Sequence, residues 1–131
     1  FNFDEIADQK VYLENVFSNF FMDNKIRKIC LGFSQGVATA NRWIESTISA
    51  HFDYYIAYAG WPPEDIDYNA DLWQTIKLIY ALGDDDYFLT PPRISKLKEL
   101  LFFKKNEVEW VKYEGGHHLK TEVLEQCLKL F

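Results

Sequence analysis

Residues 32–36 read Gly-Phe-Ser-Gln-Gly, and this stretch constrains the fold more than any other part of the chain. It directly follows the apolar run 29–31 and directly precedes a segment with helical apolar spacing. The pattern predicts a strand that turns sharply into a helix, with the hydroxyl of Ser34 projecting above the sheet. We expect glycine at Gly32 and Gly36 because a side chain at either position would collide with the neighbouring strand or helix. The local pattern is that of a nucleophile elbow.

The composition indicates one folded domain. The chain has 131 residues, of which 48% are hydrophobic, so it can bury a core. Its 20 acidic and 14 basic residues give a net charge of −6, which argues against nonspecific binding of nucleic acid. No apolar stretch approaches the roughly 20 residues that span a bilayer.

The two cysteines, Cys30 and Cys127, show no spacing typical of a disulfide framework or a zinc site. Cys30 lies in the apolar run before the elbow, and Cys127 lies in the last predicted helix. We expect two buried thiols in a reducing compartment, which favours a cytoplasmic location.

Apolar periodicity predicts alternating helices and strands. The predicted helices are Asp4–Phe21, Gln35 to about Ser49 with Val37, Ile44 and Ile48 facing inward, Pro91 to about Lys105, and Thr121–Phe131. The predicted strands are Ile26–Leu31, Tyr54–Ala59, Ile76–Leu82 and Val108–Tyr113. Thr90 has the features of an N-cap because Pro91 follows it at the first helical position. The connection from Gly60 to Thr75 shows no clear helix.

Strands separated by helices or long crossovers predict a parallel sheet. In open α/β sheets the ligand site lies beyond the carboxyl ends of the strands. Ser34, Trp61, the run Asp84–Asp86 and His117 each follow such an end. We therefore expect these chemically distinct residues to meet at one rim of the sheet.

Three motifs together resemble the phospholipase/carboxylesterase family of α/β-hydrolases, which includes the acyl-protein thioesterases. They are Leu-Gly-Phe-Ser-Gln-Gly at 31–36, Leu-Gly-Asp-Asp-Asp at 82–86 and Tyr-Glu-Gly-Gly-His at 113–117. The resemblance covers essentially the whole chain from the first helix onward. It implies a three-layer α/β-hydrolase-like sandwich of which this chain is the C-terminal half, with about four parallel strands and flanking helices.

The same resemblance implies further strands ahead of Phe1 and a His-Gly loop that donates one oxyanion-hole hydrogen bond. Losing one such donor can cost roughly 2.7–4 kcal/mol of transition-state stabilisation. We therefore expect the chain to be the C-terminal portion of a larger domain, and to be poorly active or inactive alone.

The resemblance to serine hydrolases of this family implies a catalytic role for each motif. Ser34 is the expected nucleophile, and His117 is the base that removes its proton and returns it to the leaving group. The likeness to a Gly-Asp-x-Asp motif makes Asp86 the carboxylate that orients the histidine. The backbone amide of Gln35 is one oxyanion donor. His118 remains an alternative base because some relatives carry one more residue between glycine and histidine.

Aromatic residues flank these positions. Trp61 is expected to line an acyl pocket, and Phe33 and Phe88 are further candidates, with ordinary packing as the alternative for each. Asp84 and Asp85 are expected to hydrogen-bond within the loop or to be solvated. The three clustered carboxylates could instead hold a divalent cation, although the segment offers few oxygen ligands for one. We expect no metal and no organic cofactor.

The predicted activity is hydrolysis of a small carboxylic ester or thioester through an acyl-serine intermediate. An acyltransferase on the same scaffold differs only in excluding water and binding an acceptor. A truncated hydrolase fold that serves as a binding module is the non-enzymatic alternative. If the chain stands alone, without strands ahead of the first helix, the strand before Ser34 has a bare edge, which favours a strand-mediated homodimer.

Overall fold

The computed structural model describes residues 2–21, 23, 25–47, 50–101 and 108–131. In these ranges the elements are α1 (Phe3–Phe20), β1 (Ile29–Phe33), α2 (Gln35–Ser46), β2 (Tyr54–Tyr58), α3 (Asp71–Thr75), β3 (Lys77–Gly83), α4 (Pro91–Leu100), β4 (Glu109–Tyr113) and α5 (Thr121–Leu128). Helices and strands alternate as the apolar periodicity predicts.

The four strands form one parallel sheet in the order β1-β2-β3-β4. Each strand is followed by a helix or a long crossover, which is what parallel pairing requires. The predicted fold class is therefore confirmed: the chain has a parallel sheet with flanking helices, as in an α/β-hydrolase.

Two hydrophobic clusters lie on the two faces of the sheet because successive strand residues point to opposite faces. Tyr55, Ala57 and Leu78 belong to one cluster, which the buried residues of α1, α2, α3 and α4 complete. Ile56 and Ile79 belong to the other, which α5 covers with Val123 and Cys127. The helices therefore form an unequal pair of outer layers around the sheet.

Several predicted boundaries were wrong. The first strand begins at Ile29 rather than Ile26 and includes Gly32 and Phe33, because these two residues continue the register with β2. The connection from Gly60 to Thr75 contains the short helix α3, which the sequence did not indicate. Helix α5 ends at Leu128 rather than Phe131. The predicted end of the preceding helix near Lys105 lies outside the described residues, within which α4 extends to Leu100.

Other predictions about the helices had mixed outcomes. Val37 and Ile44 are buried as expected, and α2 ends at Ser46 because Thr47 has extended backbone angles. The predictions for Ile48 and Ser49 lie outside the described residues. Thr90 occupies the N-cap position and Pro91 begins α4, as predicted, although the Thr90 side chain makes no capping hydrogen bond.

Both cysteines are free thiols. Cys127 is buried as predicted, whereas Cys30 is only partly buried because it lies on the edge strand β1. Burial raises the pKa of both thiols, to about 12 for Cys30. Among the helices of the described residues, none has the length and apolar character needed to cross a membrane.

Candidate active site

Ser34 occupies the turn between β1 and α2 in an uncommon backbone conformation. Its φ is 55° and its ψ is −122°, and a positive φ is rare for any residue other than glycine. Such strain costs of order 1–3 kcal/mol and persists only where the surroundings enforce it. Here the Ser34 amide donates to the Tyr58 carbonyl oxygen at 3.0 Å, and the Val37 amide donates to the Ser34 carbonyl oxygen at 3.1 Å. The predicted strand-turn-helix is therefore present, with the serine at its apex.

Two glycines allow the start of α2 to approach the sheet. A Cβ atom on Gly32 would lie 2.9 Å from the Gly36 carbonyl oxygen, and one on Gly60 would lie 2.4 Å from the Ser34 carbonyl oxygen. The expected collision is thus confirmed at Gly32. It was wrong at Gly36, where a Cβ would meet nothing within 4 Å because the position opens away from the sheet.

Asp86 lies in the turn that follows β3 and is buried, with 5% of its surface exposed. Its Oδ1 accepts a hydrogen bond from the Phe88 amide at 2.9 Å. Its Oδ2 lies 2.8 Å from Nδ1 of His117. Both carboxylate oxygens therefore have a partner, and one of these partners is the imidazole.

His117 lies in the loop 114–120 between β4 and α5. Its Nε2 lies 2.8 Å from Oγ of Ser34, across 83 positions of sequence. Because the Asp86 carboxylate accepts at Nδ1, that nitrogen carries the proton and Nε2 is left free to accept from the serine hydroxyl. His118 is exposed and sits in the loop with its amide bonded to the Gly116 carbonyl oxygen.

Aromatic rings surround the imidazole. The ring centroids of Phe88 and Phe33 lie 4.8 Å and 5.3 Å from that of His117. Phe33 also packs against Tyr58, with centroids 5.8 Å apart. These contacts limit the rotation of the histidine ring and shield it from water.

Ser34 and His117 open into a cavity of about 960 Å³. Trp61 and Phe88, two of the three aromatic residues expected at a pocket, line it. Phe33 is not among the lining residues, and its contacts are with His117 and Tyr58. One wall comes from α2 and another from the first half of α1, including Ile6.

Two carboxylates near the site, those of Asp65 and Asp84, are engaged within the protein. The side chains of Arg42 and Asp65 form two hydrogen bonds of 3.2 Å and 3.0 Å at the cavity wall. Asp84 accepts from the Gly115 amide at 2.9 Å. Within the described part of the chain, no group of three or more histidine, cysteine, aspartate or glutamate side chains is placed to hold a metal ion.

Sequence reasoning missed three contributions to the site. Gly60 looked like the end of a strand, although its role is close approach to the elbow. Tyr58 and Tyr113 were predicted only as strand residues, although their hydroxyls bond to the histidine loop. The contribution of α1 to the cavity wall could not be predicted, because the sequence of an amphipathic helix does not show which part of the protein the helix packs against.

Comparisons with known proteins bear on the fold. No protein-family model and no curated protein matches the chain. Among solved structures, acyl-protein thioesterase 2 from Zea mays matches with a TM-score of 0.75 and 18% identity, over 97% of this chain and 63% of that one. A carboxylesterase from Bacillus cereus matches with a TM-score of 0.74 and 17% identity, over 99% of this chain and 62% of that one.

An uncharacterised protein from Bacillus cereus ATCC 10987 is similar at 24% identity and a TM-score of 0.74, over 99% of this chain and 45% of that one. This chain therefore spans less than two thirds of the length of each of these neighbours. At such identities the likeness establishes the fold alone. The chain has the α/β-hydrolase fold, which it shares with esterases and thioesterases.

Proposed function

We propose that this protein is a serine hydrolase that cleaves small carboxylic esters or thioesters through an acyl-serine intermediate. The observation that carries the proposal is the pair of 2.8 Å contacts that link Ser34 to His117 and His117 to Asp86. The esterase and thioesterase folds among the structural neighbours agree with this class of reaction.

The first step uses the serine and the histidine. Oγ of Ser34 attacks the carbonyl carbon while Nε2 of His117 takes its proton. The Asp86 carboxylate stabilises the imidazolium that forms and holds the ring in orientation. The imidazolium then gives the proton to the departing alcohol or thiol, leaving the acyl group on Ser34. Water attacks the acyl-serine in the second half by the same proton transfers in reverse order.

Negative charge develops on the carbonyl oxygen of the substrate during both halves of the reaction. Gln35 is the first residue of α2, so its amide N–H has no partner within the helix. Gln35 follows the nucleophile directly, and both residues line the cavity. We assign the Gln35 amide as one donor of the oxyanion hole.

A fluorophosphonate probe tests the nucleophile. The protein should be labelled covalently, and Ser34→Ala should abolish the labelling. Ser18→Ala is the matched control because Ser18 lies on α1, where its hydroxyl bonds to the Glu14 carbonyl oxygen. Labelling that persists in Ser34→Ala would refute the assignment.

Product analysis with added alcohols or amines separates hydrolysis from acyl transfer. The free thiols Cys30 and Cys127 agree with a reducing compartment, and we place the protein in the cytoplasm.

We also propose that two copies of the 131-residue chain pair through β1. Among the strands of the described residues, β1 is hydrogen-bonded to β2 alone, so its outer edge presents backbone donors and acceptors. The apolar side chains beside this edge are exposed: Phe20 at 76%, Phe21 at 53%, Ile29 at 43% and Leu31 at 44%. A strand added at this edge would bury them.

Charge favours an antiparallel second copy as the occupant. The basic residues Lys25, Arg27 and Lys28 precede β1, whereas the acidic residues Asp4 and Glu5 begin α1 at the opposite end of the strand, where Glu5 lines the same cavity as Ser34. Antiparallel pairing brings each basic end to the partner's acidic end. Sedimentation equilibrium should give twice the chain mass, and Leu31→Lys should reduce it to that of a monomer. A monomeric wild-type protein would overturn the pairing.

A further inference from the structure

The loop that carries His117 is attached to the turn after β3 through Gly115. The Gly115 amide donates to Oδ1 of Asp84 at 2.9 Å, and the Gly115 carbonyl oxygen accepts from the Asp85 amide at 2.9 Å. Both polar backbone groups of this glycine are therefore bound to the same turn. Only one of the two bonds depends on a side chain, and that side chain is Asp84.

The turn and the loop lie in direct contact. A Cβ on Gly83 would be 2.5 Å from the Gly115 carbonyl oxygen, so the two backbones approach as closely as glycine permits. Gly115 itself has a φ of 138°, which side chains rarely tolerate. Gly115 precedes His117 by only two residues. A shift of Gly115 would consequently move the imidazole relative to Ser34.

The part of the loop that follows Gly115 has its own attachments. The hydroxyl of Tyr113 donates to the Gly116 carbonyl oxygen at 3.0 Å, and the hydroxyl of Tyr58 accepts from the Lys120 amide at 3.1 Å. Both tyrosines are buried in the sheet. Removing the Asp84 side chain would therefore loosen the start of the loop without releasing its end.

We propose that Asp84 is a positioning residue that sets the distance between His117 and Ser34 by holding Gly115. This inference rests on the proposed function of the triad. It gives the two outer aspartates of the Asp84–Asp86 run separate tasks, since Asp84 fixes the loop and Asp86 fixes the ring. Asp85 contributes its backbone amide.

Three variants test the proposal, with kcat and KM measured on a p-nitrophenyl ester. Asp84→Ala should lower kcat roughly 10- to 100-fold with KM changed less than about twofold, because a shift near 1 Å misaligns the proton transfer. Asp84→Asn keeps a carbonyl oxygen as the acceptor and should restore kcat to within about threefold of wild type. Asp85→Ala is the matched control and should behave as wild type because its backbone amide remains.

A spectroscopic measurement separates this proposal from the proposed function. The proton shared by Nδ1 of His117 and Asp86 should give a far-downfield ¹H NMR resonance that Asp84→Ala broadens or shifts and Asp84→Asn preserves. If the wild-type protein is neither labelled by the fluorophosphonate nor active on the ester, the proposed function fails. The resonance of the proton between His117 and Asp86 then decides by itself whether Asp84 is a positioning residue. Wild-type kcat and resonance in Asp84→Ala would overturn the inference. Equal losses in Asp84→Asn and Asp84→Ala would overturn it as well.

Discussion

Replacing Gly36 by alanine should raise the free energy of unfolding, whereas the same change at Gly60 should lower it. The sequence predicts that a side chain at position 36 would collide with a neighbouring strand or helix, whereas Gly60 is predicted only to follow a strand. Their surroundings differ. A Cβ on Gly36 meets nothing within 4 Å, whereas one on Gly60 would lie 2.3 Å from Cγ2 of Val37 and 2.4 Å from the Ser34 carbonyl oxygen.

The magnitudes follow from these distances. Gly36 lies inside α2 without a positive φ, so alanine there adds helix propensity and restricts the unfolded chain, which stabilises by about 0.4–1 kcal/mol. At Gly60 the clash involves the backbone of Ser34, which cannot rotate away. Overpacking of this kind costs about 1–3 kcal/mol. The two variants should therefore differ by at least about 1.4 kcal/mol.

Urea unfolding measures the difference. With an m-value of roughly 2 kcal/mol/M, the two midpoints should lie about 0.7 M or more apart, with wild type between them. Fluorophosphonate labelling adds a functional readout, since Gly36→Ala should label as wild type does and Gly60→Ala should label more slowly. A loss of stability in Gly36→Ala equal to that in Gly60→Ala would refute the reasoning.

Three further predictions concern residues away from the serine. Asn41 is 2% exposed and bonds the hydroxyls of Tyr55 and Tyr68, so Asn41→Ala should lower the free energy of unfolding by about 1–3 kcal/mol in urea titrations. Arg42 holds the pKa of the half-exposed Asp65 below its ordinary value. Asp65→Asn should therefore cost under about 1 kcal/mol at neutral pH, and this difference should vanish as pH falls through the acidic range. Burial raises the pKa of Cys30 to about 12, so at pH 8 it should react with Ellman's reagent faster in denaturant than in the native state.

The fold could be predicted from the sequence because the apolar pattern is local and strong. The strand β3 is a nearly continuous apolar run, and Pro91 marks the beginning of α4. The exact ends of the strands and helices could not be predicted from this local pattern. β1 gains Gly32 and Phe33 from their pairing with β2, which is a contact between distant segments. The helix α3 has only five residues, too few for a periodic signal.

The candidate site was predictable to the extent that its residues follow strand ends. Ser34, Asp86 and His117 were named from that rule and from the family resemblance, and the structure brings them within hydrogen-bond distance. The role of Gly60 could not be predicted. It depends on how closely the chain after β2 approaches Ser34, which follows a different strand, β1. The contact between Asp84 and Gly115 spans 31 positions and likewise leaves no local signal.

The precision of the site has its origin in the sheet. Backbone hydrogen bonds between neighbouring strands continue past the strand ends: the amides of Ser34, Ala59 and Asp84 donate to carbonyl oxygens of the adjacent strands at 3.0, 2.9 and 3.0 Å. Each loop at the rim is therefore an extension of the parallel register, and a slip of one residue would displace a loop by about 3.3 Å. Such a displacement exceeds the tolerance of a 2.8 Å contact between His117 and Ser34, so the strand register itself determines whether the proton transfer can occur.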